Sequence, residues 1–179
     1  DDTYVVVTSD HGEMFERVIL GQLTPTLYEP IVHIPLLMSM PGQKQRLDVH
    51  ALTSCVDVLP TLLHAAGQTV PDWCEGQLMP PFVDEPPKDG RSIYIVEAKA
   101  NAQQGPLTKA TVALIREPFK LVHYFGYREH PDEYELYDLA NDPEEMVDLY
   151  PSRVALAREL QDELQGKIQE VMLGYVIHV

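Results

Sequence analysis

Thr8-Ser9-Asp10-His11-Gly12-Glu13 sets a carboxylate beside an imidazole and a glycine, directly after the apolar run Tyr4-Val5-Val6-Val7. A β-branched run of this kind reads as a buried strand, and polar groups at the end of such a strand read as a site loop. Chemistry is therefore expected first at Asp10 and His11. A Ser-Asp-x-Gly stretch is also ordinary for a turn or a helix N-cap, and the residues alone leave both readings open. Other reactive side chains offer less. Cys55 and Cys74 have neither metal-ligand spacing nor the number for a disulfide framework. Cys55, beside apolar helix positions, reads as a packed core thiol. His33 lies inside an apolar run and reads as a buried, hydrogen-bonded histidine.

The chain that positions these groups has 179 residues, enough for one domain or a domain with a small annex. Its 28 acidic and 13 basic residues give a formal net charge of −15, a field that disfavours nucleic acid and anionic membrane as partners. No run reaches the ~18 apolar residues that a membrane span needs. Asp1-Asp2-Thr3 stands without slack before a core strand, which predicts a fragment of a longer chain.

Met14 to Leu23 shows no period and reads as a surface loop. Thr24 to Pro30 predicts a short helical turn, with Thr24 as N-cap, Pro25 at the first helical position and Pro30 as the stop. Ile31 to Met38 predicts a second apolar strand, at an edge or bulged because Pro35 cannot donate to a ladder. Val56, Leu59, Leu63 and Ala66 recur at helical spacing and predict an amphipathic helix, capped by Asp57 and closed by Gly67. A proline-rich stretch from Val70 to Lys88 reads as a traverse between layers. Beyond it, the pattern predicts a strand at Ser92 to Glu97 and a hairpin of Thr111 to Ile115 with Phe119 to Tyr124. A strand at Tyr134 to Leu139 and a helix from about Ser152 to Leu173 follow, the helix with Ala157, Leu160, Leu164, Ile168 and Val171 on one stripe. In the hairpin, Lys120, Val122 and Tyr124 alternate with Leu121, His123 and Phe125, as a strand with two different faces requires. The loop from Glu97 to Lys109 offers Lys99, Asn101, Gln103 and Gln104 to solvent or to a polar ligand.

Taken in order, Ser9-Asp10-His11-Gly12-Glu13, Leu27-Tyr28-Glu29, Ile34-Pro35-Leu36-Leu37 with Pro41-Gly42, and Val56 to Leu63 ending at Gly67 resemble the sulfatase family of the alkaline-phosphatase superfamily. Phe119-Lys120-Leu121 and the run from Glu135-Leu136-Tyr137-Asp138-Leu139 to Asn141-Asp142-Pro143-Glu144-Glu145 continue the match. The resemblance implies an α/β fold: an alkaline-phosphatase-like core fragment over residues 1–80, then an α+β C-terminal subdomain over 81–179, an antiparallel sheet with a packed helix. It also implies a longer parent, a sulfuric ester hydrolase whose N-terminal portion carries acidic metal ligands and a formylglycine made in a Cys/Ser-x-Pro/Ala-x-Arg motif. Neither Cys55-Val56-Asp57-Val58 nor Cys74-Glu75-Gly76-Gln77 fits that motif. No catalytic nucleophile is assigned here, and the chain alone is expected to be inactive.

By the same resemblance Asp10 and His11 are ligands of a divalent cation, Mn²⁺ or Ca²⁺ foremost, with Zn²⁺ a further candidate. A carboxylate with a neutral imidazole suits Mn²⁺, Zn²⁺ or Fe²⁺, whereas oxygen-only sites favour Ca²⁺ or Mg²⁺. Gly12 lets the loop turn close to the metal, and Glu13 either orients a ligand or serves as an N-cap or solvated residue. Where the family places a Lys or His near the leaving group, this chain has Gln22 and Thr24, with Arg17 as the nearest cation. Gln22 donates a hydrogen bond but transfers no proton at neutral pH. The implied substrate is a sulfate ester or a phosphonate, carried on a small molecule or a glycan. Many sulfatases have Asn at the position of His11, and the histidine resembles the phosphonate monoester hydrolases, so phosphonate or phosphodiester hydrolysis is the alternative chemistry. A non-catalytic module with a vestigial site is the alternative of another class. The rest of the parent is expected to cover the Tyr4 to Ser9 and Ile31 to Met38 strands, so that the chain by itself tends to self-associate.

Overall fold

The computed structural model of the chain describes residues 2–15, 17, 25–83, 91–99, 106–128 and 132–176, with side chains as far as 172. In chain order its elements are strand β1 (Val5–Thr8), helix α1 (Glu29–Val32), strand β2 (Leu36–Ser39), helix α2 (Val58–Ala65), strands β3 (Ile93–Glu97), β4 (Ala110–Arg116), β5 (Phe119–Phe125) and β6 (Glu133–Asp138), and helix α3 (Val154–Val176). They form two compact units, Asp1–Gln43 with Tyr94–Val179, and Lys44–Ile93.

The larger unit is built on a four-stranded sheet of order β3-β4-β5-β6. The β4–β5 hairpin turns at Glu117-Pro118 and brings Leu114 opposite Leu121, and β6 continues the row with Leu136 opposite Leu121. Because side chains alternate across a strand, this row shares a face with Ala110 and Val112. The stripe Ala157, Leu160 and Leu164 of α3 closes on that face as a buried cluster. Each fully buried leucine there contributes ~2 kcal/mol. Val171, expected on the same stripe, is 45% exposed.

The opposite face carries Ala113, Lys120, Val122, Tyr124, Glu135 and Tyr137, and the first part of the chain lies on it. Leu27 packs on Ala113, Val122 and Tyr124, while Met14, Tyr28 and Ile31 pack around Tyr137. The sheet is therefore covered on one side by α3 and on the other by Met14, Leu27, Tyr28 and Ile31.

Three expectations for that segment are corrected. Thr24 lies outside the described residues, and α1 begins at Glu29 with Pro30 in its first turn, where a missing N–H costs no bond. Pro30 starts a helix instead of stopping one. Ile31 and Val32 are consequently helical, and the strand is confined to Leu36–Ser39, after Pro35. His33 is not buried: its side chain is 79% exposed, with Nδ1 3.2 Å from Glu29 Oε2 one helical turn back. Strand β1 pairs with β2 in antiparallel register, Val7 opposite Leu37. Val5, Val7 and Leu37 are more than half exposed, so their burial is not supplied by the described residues of this chain.

In the smaller unit, Ser54 and Asp57 form a reciprocal capping box ahead of α2. Past the helix end Gly67 takes a positive φ of 67°, and the Gly67 and Gln68 N–H groups return to the His64 and Leu63 carbonyls. The Asp57 carboxylate is buried and accepts from Ser54 N (2.8 Å), Gln77 N (2.8 Å) and both terminal nitrogens of Arg91 (2.6 and 2.7 Å). Burial opposes its ionisation, but the Arg91 guanidinium and the two backbone N–H groups outweigh it and hold the carboxyl below its ordinary range. The turn that inserts Asp57 carries Cys55 and Val56 outward, so Cys55 is an exposed thiol instead of a core one.

Replacing Arg91 by Met strands that buried carboxylate and is expected to lower stability by about 3–5 kcal/mol in urea unfolding. In the unsubstituted protein the contribution of Asp57 is complete above its ordinary pKa of 3.8 and is lost as pH falls below it towards the depressed value. An Asp57→Asn variant should lack that acid-side loss in the same titration.

Candidate metal centre

The loop after β1 orients its own side chains. The His11 N–H donates to Asp10 Oδ1 at 3.1 Å. His11 Nδ1 lies 2.7 Å from the Gly12 carbonyl oxygen, and a carbonyl only accepts, so in the neutral ring Nδ1 carries the proton and Nε2 keeps its lone pair. Nε2 in turn faces Asp10 Oδ2 at 3.6 Å. A backbone-anchored Nδ1–H is the usual support of an imidazole that would hold a metal through Nε2. Asp10 is 88% exposed and His11 37% exposed, so the pair is open to further donors. The two residues fit a divalent cation. Among the described residues no group of three or more His, Cys, Asp or Glu could hold a metal ion.

The pair is held from behind by α1. Gly12 N donates to Ile31 O at 2.7 Å and Glu13 N to Pro30 O at 3.0 Å. A Cβ on Gly12 would stand 2.0 Å from Pro30 O, so the close approach of two backbones demands glycine here. Met14, fully buried, continues the loop into the core under Tyr28 and Ile31.

Helix α1 is gripped by charge. Glu145 Oε2 accepts the Glu29 N–H at 2.7 Å, at the start of the helix. Lys120, fully buried on β5, donates to Glu29 Oε1 at 3.0 Å and lies 2.8 Å from Glu145 Oε1, the latter a charge contact and not an aligned hydrogen bond. Asp142 builds the loop that delivers Glu145, accepting the N–H groups of Met146 (3.0 Å) and Val147 (2.8 Å). From the other side Arg17 donates to the carbonyls of Glu144 and Glu145, and its guanidinium carbon stands 4.1 Å from the centre of the Tyr28 ring.

Beside this grip the hydroxyls of Tyr28, Tyr124 and Tyr137 converge on Glu135. Tyr124 donates to Oε2 at 3.0 Å, and Tyr28 reaches both oxygens at 3.3 Å. Burial raises the carboxyl above its ordinary range, and the three hydroxyl bonds offset only part of that rise. Burial likewise raises all three tyrosines, followed by the charge of Glu135, so they remain hydroxyl donors. A cleft of about 490 Å³ opens nearby, lined by Arg17, Glu29, His33, Pro35 and Glu144 among others.

Residues 24–173 match the family described as N-sulphoglucosamine sulphohydrolase, C-terminal. The chain belongs to this family. Mouse (Mus musculus) arylsulfatase K is 26% identical over 98% of this chain and 32% of its own length. A protein solved in complex with its substrate D-glucosamine-2-N,6-O-disulfate is 26% identical with a TM-score of 0.66, over 98% of this chain and 35% of the other. A phosphonate monoester hydrolase from Silicibacter pomeroyi is 27% identical with a TM-score of 0.73, over 94% and 35%. The chain thus spans about a third of the length of these relatives. The sulfatase resemblance, as the C-terminal portion of such a protein, and the α/β fold class it implied both hold.

Within this sulphohydrolase-type unit the expected site residues fall into separate groups. Asp10, His11, Gly12 and Glu13 form one loop, whereas Gln22 lies outside the described residues. Arg17 is committed to the Glu144 and Glu145 carbonyls and to Tyr28. Lys99 is exposed, and Asn101, Gln103 and Gln104 also lie outside the described residues. No role in the site was assigned from sequence to Lys120, Glu145 or Glu135. The signal was a lysine and a glutamate on strand faces otherwise occupied by Val122, Tyr124 and Tyr137, because a charge on a core face needs a partner.

Gly12→Ala is expected to force the loop from α1 and cost about 1–3 kcal/mol in thermal or urea unfolding. Because the folded state raises the Glu135 pKa, it binds the proton more tightly than the unfolded chain, and stability falls as pH rises upward from the ordinary 4.5. A Glu135→Gln variant should show a flatter dependence of melting temperature on pH across that window.

Proposed function

We propose that this chain is the C-terminal portion of a metal-dependent sulfatase-type hydrolase that cleaves sulfate esters, with Asp10 and His11 supplying two ligands of its divalent cation. The observation that carries the reading is the orientation of His11: its Nδ1 lies 2.7 Å from the Gly12 carbonyl oxygen, and its Nε2 lies 3.6 Å from Asp10 Oδ2. A bound cation supplies neutralisation of charge on the non-bridging oxygens of the ester. The chain's own part is to present one hard oxygen and one nitrogen lone pair at a fixed spacing, on a loop pinned to α1 by two backbone hydrogen bonds. Neither cysteine lies in a Cys/Ser-x-Pro/Ala-x-Arg motif, so the nucleophile belongs to the part of the parent outside this sequence. A sulfated sugar is supported as the substrate class by the relative solved with D-glucosamine-2-N,6-O-disulfate.

Phosphonate monoester hydrolysis is the second reading, supported by the Silicibacter pomeroyi relative and by the histidine at position 11. Kinetics of the full-length protein on an aryl sulfate and on a phenylphosphonate monoester would rank the two, with higher kcat/KM on the sulfate expected. Asp10→Ala should abolish at least 99% of the preferred activity and weaken Mn²⁺ binding, a loss of roughly 2.7 kcal/mol or more in transition-state stabilisation. Unchanged metal binding and activity in that variant would instead favour a non-catalytic module. The 179-residue chain by itself is expected to show no turnover.

A further inference from the structure

We propose that Lys120 and Glu145 are positioning residues for the Asp10–His11 pair, acting through Glu29 and the backbone carbonyls of α1. The proposal rests on the reading of Asp10 and His11 as cation ligands. Five contacts form an unbroken path. Lys120 Nζ holds the Glu29 side chain at 3.0 Å, and Glu145 Oε2 holds the Glu29 N–H at 2.7 Å, so one residue of α1 is fixed at both its side chain and its backbone. The next two residues, Pro30 and Ile31, turn their carbonyls to the Glu13 and Gly12 N–H groups. The Gly12 carbonyl then accepts from His11 Nδ1 and sets which ring nitrogen is free.

Apolar packing of Leu27 and Met14 also holds this segment on the sheet, but such contacts are non-directional and do not fix a register along it. A buried ammonium between two carboxylates does, because each ångström of slip leaves a charge unpaired in a dry environment. Lys120 is itself on the rigid centre of the sheet, opposite Ile115 on one side and Tyr137 on the other. Glu145 has its loop fixed by Asp142 and its carbonyl engaged by Arg17. The anchor is therefore stiffer than what it anchors, as a positioning residue must be.

The test uses the full-length protein, comparing wild type with Lys120→Met by amide hydrogen exchange and by titration with Mn²⁺ alone. Exchange at Gly12 and Glu13 is expected to rise at least tenfold while the β4 and β5 amides keep their protection, and Mn²⁺ affinity should fall at least tenfold. If Lys120→Met does not fold, the triple variant Glu29→Gln, Lys120→Met, Glu145→Gln removes the three charges together and should give the same two changes. Unaltered exchange at Gly12 and Glu13 in a folded variant overturns the proposal. An Asp10→Ala protein that binds Mn²⁺ as wild type does overturns the ligand reading, and with it the claim that the clamp serves a metal site. The two failures are read by different measurements.

Discussion

The ammonium of Lys120, fully buried between Glu29 and Glu145, is the contact on which the arrangement of the larger unit depends. A lysine in that position loses its hydration, and only paired carboxylates with good geometry compensate. Both partners come from far away in sequence, Glu29 from the start of α1 and Glu145 from the loop after β6. Their convergence on one strand residue requires that the sheet, the Asp142 loop and the N-terminal segment all be in place. The order of dependence therefore runs from the sheet outward to the Asp10–His11 loop.

The sheet divides its work between two faces. Against α3 it is apolar and closely packed, with Leu114, Leu121 and Leu136 in one row under Leu160 and Leu164. That face supplies most of the burial and carries little information about what lies elsewhere. Against α1 it mixes apolar contacts with Lys120, Glu135 and three tyrosine hydroxyls, each of which has a defined partner. Directional contacts are placed where position matters, and non-directional ones where only adhesion is needed.

The hairpin, β6 and α3 were legible in the sequence because their periods are regular and their faces differ. The alternation of Lys120, Val122 and Tyr124 with Leu121, His123 and Phe125 maps directly onto the two sides of β5. The segment from Thr24 to Met38 was read less well, since proline has two local meanings. Pro30 fits equally as a helix stop and as a first-turn residue, and only the Glu145 carboxylate, waiting at the Glu29 N–H, decides for the second. His33 follows from the same choice. Once α1 exists, Glu29 and His33 are one turn apart and the histidine pairs outward instead of packing inward. The Asp10–His11 pair was visible as residue types, but its orientation was not, because the Gly12 carbonyl that sets it is placed by hydrogen bonds to residues 30 and 31.

The smaller unit offers a contrast that explains why a triad stands at Lys120. Asp57 is also a buried carboxylate with a cationic partner, held by Ser54, Gln77 and Arg91. There a bidentate guanidinium matches the two carboxylate oxygens and leaves neither unsatisfied. At Lys120 a single ammonium serves two carboxylates, and Glu145 Oε1 receives charge without an aligned hydrogen bond. Such a geometry is not the most stable way to fill a buried space, and an apolar plug of equal volume would serve adhesion as well. What an apolar plug lacks is a reason for Glu29 to stop at one place along the sheet. The compromise at Glu145 is consistent with a contact whose function is register, at some expense of stability, and register at Glu29 is register two residues from the carbonyl that holds Gly12.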